Sequence, residues 1–265
     1  MVQQDTNIRI SVVIPVYNGS ATVCRAIASA MGQTCAPYEV IVVDDASTDD
    51  TVQVIEAQWK GDVILIQKEN NAGSSAARNA GMDKASGSHI AFLDADDEWH
   101  RDKLRIAAAA LTAQPDIALL YHPFTMRDIH ADVLPDKPEV ISRTFVQLLP
   151  GNRIAPSCTV IVNDAAFRFD PAMRHTEDYE LWLRVAYGNR VAYMPYALTR
   201  IFRMFTSGGG ISSARWKMRK GELVAYTRLV RLNPLFVCIV PALWIWSLMR
   251  HVMKMAGIKG LVKQE

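Results

Sequence analysis

The segment Phe92-Leu93-Asp94-Ala95-Asp96-Asp97-Glu98-Trp99 places three aspartates within four positions, directly after the apolar run Ile90 to Leu93. Crowding like charges at the end of a buried strand costs free energy unless a cation sits among them. Carboxylate oxygens are hard ligands, which suits magnesium or manganese carrying a phosphorylated ligand. Residues two apart in an extended chain point the same way, so Asp94 and Asp96 can converge on one ligand. A solvated acidic turn ahead of a helix starting near Arg101 would use the same residues with no ligand at all.

The elements around this segment must decide between those readings. Ile10 to Pro15 (ISVVIP) is a continuous apolar run followed by the loop Val16-Tyr17-Asn18-Gly19, and Val23, Ile27 and Ala30 then recur at helical spacing. Glu39 to Val43 is a second apolar run, ending in Asp44-Asp45; Thr51 to Trp59 follows as a helix. Val63 to Ile66, a helix from Ser74 to Lys84, and a strand from His89 to Leu93 continue the alternation. Strands apolar on both faces and separated by helices predict an α/β fold with a mostly parallel sheet covered on both sides. Ligands of such sheets bind beyond the carboxyl ends of the strands. Tyr17, Asp44-Asp45 and Asp94-Asp96 all fall there, so they predict one site.

Further along, Leu104 to Leu111 reads as a helix, Ile117 to Tyr121 and Ser157 to Val162 as strands, and His122 to Pro150 as a variable loop with short elements. Thr176 to Tyr187 reads as a helix with Thr176 as N-cap, acids in its first turn and Gly188 past its end. Val191 to Tyr193 and Leu198 to Phe202 read as late edge strands.

Taken in order, four segments resemble glycosyltransferase family 2, the inverting enzymes that use nucleotide sugars on a GT-A fold. They are SVVIPVYNGSATVCRAIASAMGQT, EVIVVDDASTDDT, NNAGSSAARNAGMDKASGSHIAFLDADDEW and TEDYELWLRV, spread over residues 8–213. The resemblance implies a mixed, Rossmann-like sheet and a domain over residues 1–213. It implies nucleotide contacts at Pro15, Tyr17, Asn18, Asp44, Asp45, Arg78, Asp94, Ala95 and Arg203, with Asn71 and Gly73 shaping the loop before the next helix. Tyr17 would stack on the base, Asp45 would accept the uracil N–H, and Asp44 would orient the loop. Asp94 would contact the ribose and Asp96 would hold a divalent metal, Mn2+ or Mg2+. Arg78 would reach the diphosphate or an acidic neighbour. Asp178 would be the general base, supported by Glu177; acids in a first helical turn also complement the helix dipole without catalysis. Asp97 would cap the next helix, and Trp99 would belong to the core. Many relatives carry a histidine two residues after an arginine in a closing loop, where this chain has Arg203, Phe205 and the glycines Gly208 to Gly210. Arg203 would still neutralise phosphate charge.

Charge is unevenly spread. From Arg215 onward there are ten Lys/Arg against two Asp/Glu; the 214 residues before it carry 19 against 25. Within residues 214–265, a helical tail, Pro234 to Met249 is apolar with Trp244 and Trp246, flanked by Arg228, Arg231, Arg250, Lys254, Lys259 and Lys263. This run is short for a bilayer span and is broken by Pro241, which favours a helix in the membrane interface, touching lipid through residues 228–263, over one packed on protein. The N-terminus MVQQDTNIRI has no apolar signal core. Cys24, Cys35, Cys158 and Cys238 form no CxxC pair and read as buried thiols in a reducing setting. The expectation is a cytoplasmic enzyme, peripheral on the inner membrane face, using a nucleotide-sugar donor and a glycan or lipid-linked acceptor, with no nucleic-acid partner. Two other classes compete. A non-catalytic nucleotide-sugar-binding component of an assembly complex would share the donor residues. A dinucleotide-dependent oxidoreductase would need a GxGxxG turn, where the chain has Pro15 to Gly19.

Overall fold

The computed structural model describes residues 8–129, 133–202 and 211–255. The chain opens with β1 (Ile10–Val16), α1 (Val23–Met31), β2 (Glu39–Asp44), α2 (Thr51–Trp59), β3 (Ile64–Gln67), α3 (Ser74–Lys84) and β4 (His89–Phe92). It continues through β5 (Glu98–Trp99), α4 (Lys103–Ala113), β6 (Ile117–Tyr121), β7 (Phe124–Thr125), β8 (Ile141–Arg143) and α5 (Phe145–Leu148). Last come β9 (Thr159–Val162), α6 (Glu177–Ala186), β10 (Arg190–Tyr193), β11 (Thr199–Arg200), α7 (Ile211–Leu232) and α8 (Val240–Met255).

Eight strands form one mixed sheet in the order β3-β2-β1-β4-β9-β6-β10-β8. The four strands from β3 to β4 are parallel, while β9 runs antiparallel between β4 and β6. Alternate residues of β1 feed the two cores. Val12, Ile14 and Val16 join α1 and α4 on one face, and Val13 joins α6 and α7 on the other. On the second face Phe92 meets Phe169 and Trp182 with ring centroids 5.3 and 6.2 Å away, contacts worth about 1 kcal/mol each beyond their burial. Pro15 is buried inside this strand without breaking the ladder. Val13 accepts the last β4-side bond, from Leu93 N, so the edge of Pro15 that lacks an N–H faces the point where β4 has already turned away.

Three expectations change. β10 is no edge strand: it pairs with β6 on one side and β8 on the other. β11 is the middle of a three-stranded sheet between β5 and β7, with two-residue pairings too short to leave a periodic trace. Thr176 does precede α6, but its backbone is left-handed (φ 58°) and its hydroxyl donates to His175 O rather than capping the helix. The four cysteines are free; Cys158 is buried and Cys238 exposed.

The tail is part of the packing. Ala225, Tyr226 and Leu229 of α7 are buried in the second core, and Arg228 pairs with Asp170. Gly221 lets α7 lie against His175 and Thr176, since a Cβ there would come within 2.3 Å of His175 O. α8 is turned inside out. Its inward side carries Ser247, fully buried, and Arg250, paired with Glu222. Its outward side carries Trp244, Ile245, Leu248, Met249 and Val252, the last 65 % exposed. Leu235 and Val237, in the single-turn helix Pro234–Cys238, extend this apolar band. No helix among the described residues is long and apolar enough to cross a membrane.

Candidate active site

The parallel strands deliver Tyr17, Asp44-Asp45 and Asp94-Asp96 to one sheet edge, as the sequence predicts. Tyr17 is half exposed beside Asn18, whose backbone is left-handed (φ 49°). Asn18 Oδ1 accepts Thr48 N at 2.8 Å, and Asn18 N donates to Ser47 Oγ at 2.9 Å. The loop after β1 is therefore stitched to the loop after β2, which fixes the tyrosine's base.

Asp44, the last residue of β2, and Asp45 just after it each hold a loop. Asp45, 2 % exposed, accepts Gly73 N at 2.6 Å and Ala72 N at 3.2 Å, and pairs with Lys68. It thus anchors the loop leading into α3, where the helix N-terminus also favours an anion. Asp44 Oδ2 takes Ser47 N at 3.1 Å, but its Oδ1 is buried with no partner among the described residues. Asn71, exposed, and Gly73 lie in the loop that Asp45 holds.

Arg78 is the electrostatic centre. It is buried, donates from Nη2 to Asp94 Oδ1 at 2.6 Å, lies 3.5 Å from Glu177 Oε1, and sits over the Phe169 ring. Burial works against its charge, but Asp94, then Glu177 and Asp178, outweigh it and hold its pKa above the usual value. Arg78 thus meets the acidic neighbours expected for it. Glu177 also accepts Ser74 Oγ at 3.0 Å, so α3 orients the start of α6.

β9 begins where β4 ends because the two are antiparallel, and this brings Ser157 beneath the acidic loop. Asp94 N donates to Ser157 Oγ at 2.9 Å, and Ser157 Oγ donates to Asp97 Oδ2 at 2.6 Å. Asp97 therefore braces the loop from inside instead of capping α4. Burial, with repulsion from Asp94, pushes its pKa up to about 7. Ser157 O accepts Lys103 Nζ, Thr199 Oγ1 and Trp99 Nε1 at 2.7, 2.8 and 2.9 Å. Trp99 is in the core, as expected. Ser157 and Lys103 gave no sequence signal, since a serine before a strand and a lysine at a helix start are ordinary.

Ala95 and Asp96 are partly exposed. The Asp96 carbonyl takes Arg25 Nη2 at 2.7 Å, while its carboxylate takes no hydrogen bond from a described residue. No cluster of three metal-ligating side chains exists among the described residues. One or two carboxylates with open lone pairs still fit a magnesium-like ion, which shares its shell with substrate phosphates and water. Phe202 stacks under Arg25 at 3.8 Å; Arg203, Phe205 and Gly208 to Gly210 lie outside the described residues, as do Lys259 and Lys263.

Asp178 opens α6, partly exposed. Its Oδ2 accepts Asn152 Nδ2 and its Oδ1 accepts Tyr179 N, both at 2.8 Å. Burial first, then repulsion from Glu177, push its pKa up to about 6. A carboxylate so placed is more basic than usual yet ionised at neutral pH, which suits proton abstraction.

The profile of glycosyl transferase family 2 matches residues 11–171. The chain belongs to that family. It is a glycosyltransferase, and the site described above lies on the fold the resemblance implies. TuaG of Bacillus subtilis, named for teichuronic acid biosynthesis, is 29 % identical over 236 residues, covering 84 % of this chain and 89 % of its own. WfgD of Escherichia coli, named a UDP-Glc:alpha-D-GlcNAc-diphosphoundecaprenol beta-1,3-glucosyltransferase, is 29 % identical over 69 % of this chain and 72 % of its own. Among solved structures, TarS 1–349 of S. aureus has a TM-score of 0.66 at 21 % identity, covering 97 % of this chain and 75 % of its own. The mannosyltransferase PcManGT of Pyrobaculum calidifontis, in complex with GDP-Man and Mn2+, has a TM-score of 0.64 at 18 % identity, covering 96 % and 76 %. These two likenesses bear on the fold, which is GT-A.

Proposed function

We propose that this glycosyltransferase moves a sugar, with inversion, from a UDP-linked donor to a glycan or lipid-linked acceptor in surface polysaccharide synthesis. The observation that carries this reading is the convergence of Tyr17, the Asp44-Asp45 pair and Asp94-Asp96 on one sheet edge, with Asp178 at the facing helix start. Tyr17 offers its exposed face to the base and Asp45 takes the base N–H, while Asp44, bound to Ser47 N, orients the loop. Asp94, steadied by Arg78, meets the ribose; Pro15, Asn18 and Ala95 shape the walls. Asp96 would hold the divalent cation, Mn2+ or Mg2+, with Arg203 adding positive charge at the phosphates. When bound, the cation would neutralise charge growing on the departing diphosphate.

Asp178 takes the proton from an acceptor hydroxyl as that oxygen attacks the anomeric carbon. The bond from this carbon to the diphosphate oxygen breaks, and its electron pair leaves with the nucleotide. Glu177, held by Ser74 and Arg78, keeps the helix start in register. The experiment is a panel of nucleotide sugars incubated with Mn2+, Mg2+ or chelator. Metal-dependent binding and slow hydrolysis of one UDP-sugar are expected, both lost in Asp96→Ala. Folded protein that binds no donor would overturn the reading and favour a non-catalytic assembly role.

A lipid-linked acceptor places the enzyme peripherally on the cytoplasmic membrane face. The outward apolar band of α8 supports this, since exposed tryptophan, leucine and isoleucine suit a lipid interface, and the excess of Lys/Arg in the sequence from Arg215 onward favours anionic lipid. Ile245→Glu with Leu248→Glu is expected to weaken flotation with phosphatidylglycerol-containing vesicles about tenfold or more, from the apolar area lost. Undiminished flotation of the double variant would contradict it.

A further inference from the structure

The last carbonyls of a helix lack intrahelical partners, and at the end of α5 three other helices supply donors to Leu148, Leu149 and Pro150. Tyr179 Oη donates to Leu148 O at 3.0 Å and Tyr226 Oη to Leu149 O at 2.7 Å. Trp246 Nε1 donates to Pro150 O at 3.2 Å, and Arg250 Nη1 donates to the same oxygen. Arg250 is fixed in turn by Glu222, whose Oε1 also lies 3.0 Å from Tyr226 Oη. The next residue, Gly151, has a left-handed backbone (φ +138°), and a Cβ there would collide with the Arg250 guanidinium. One residue later, Asn152 Nδ2 donates to Asp178, and its side-chain Oδ1 accepts Ile154 N at 3.1 Å. A continuous chain of contacts therefore runs from the inner face of α8 to the carboxylate at the start of α6.

We infer that Asn152 is a positioning residue for Asp178, and that Trp246 and Arg250 of α8 hold it in place through Pro150 and Gly151. The inference rests on Asp178 being the general base. It assigns the C-terminal helix a part in catalysis at a distance from the reacting atoms. The charged groups acting on Asp178 are Glu177 on its own helix and Arg78 from α3, and both stay intact in the variants below. Asn152 donates to the ionised carboxylate, so its loss favours the protonated form.

The test is the pH dependence of kcat in wild type, Asn152→Ala and Trp246→Phe, with Asp178→Asn as control. In Asn152→Ala the acid limb is expected to move up by about one unit, the scale of one hydrogen bond to a charged group. The high-pH plateau should fall, because the base loses its orientation, while the donor KM is retained. Trp246→Phe removes one N–H and keeps most of the packing, so it shows a smaller shift in the same direction even if Asn152→Ala folds poorly. A uniform fall in kcat with the limb unmoved, or no change in either variant, would overturn the inference. Activity surviving in Asp178→Asn would instead overturn the reading of Asp178 as base.

Discussion

Arg78→Ala is expected to lower folding stability by about 3 kcal/mol or more, measured by urea unfolding. Breaking a buried ion pair by removing one partner leaves charge uncompensated, and such losses run to about 3–5 kcal/mol. Asp94 is 31 % exposed at its side chain, so the lower part of that range applies. The cost is larger than a single pair would suggest because Arg78 serves acids from two elements, Asp94 after β4 and Glu177 on α6. Without it, three carboxylates face one another. Lysine should not restore the loss, because one ammonium lacks the planar fork that spans both acids while lying over Phe169. Unfolding within about 0.5 kcal/mol of wild type would show that the pairing is a surface-like contact of little weight.

Asp178→Asn is expected to do the reverse, losing activity while keeping the fold. General-base assistance is worth about 10²–10⁴ in rate, and transfer should fall by that factor. In the wild type, rate should rise as pH passes about 6, the value to which burial and Glu177 push this carboxyl, and level off above it. The sign for stability is opposite. The folded state holds this proton more tightly than the unfolded chain, so the group's contribution to stability is present at low pH and lost as pH rises through about 6. Asparagine removes that charge, so the variant should melt no lower than wild type at neutral pH, a pattern typical of functional rather than structural residues. A strongly lowered melting temperature would contradict this.

Much of this site was legible because its parts are local. The apolar runs of β1, β2 and β4 mark strand ends, and the acids following them fall on one edge whatever the rest of the chain does. The helices Thr51–Trp59 and Ser74–Lys84 were readable to the residue from spacing alone. What escaped was long-range. Ser157 reaches Asp94 only because β9 inserts antiparallel between β4 and β6, 63 residues along the chain. Asn152 meets Asp178 across 26 residues, from the unassigned stretch between the loop ending at Pro150 and the strand read from Ser157. β10 looked like an edge because nothing local announces that Ile141–Arg143 will return to cover it. The division of labour between Asp44 and Asp45 also depends on a distant loop, since it is Lys68, Ala72 and Gly73 that occupy Asp45. The basic, apolar tail was read from composition, but α8 keeping its apolar side outward follows from Arg250 and Arg219 meeting Glu222 and Ser247 underneath.

The most direct test of the central claim measures donor affinity and transfer rate side by side in wild type and Asp178→Asn, using the donor and metal identified by the panel. The expected result is unchanged donor affinity with transfer reduced at least about a hundredfold. Transfer at the wild-type rate would mean that another group takes the acceptor's proton, and the active site described here would have to be redrawn around it.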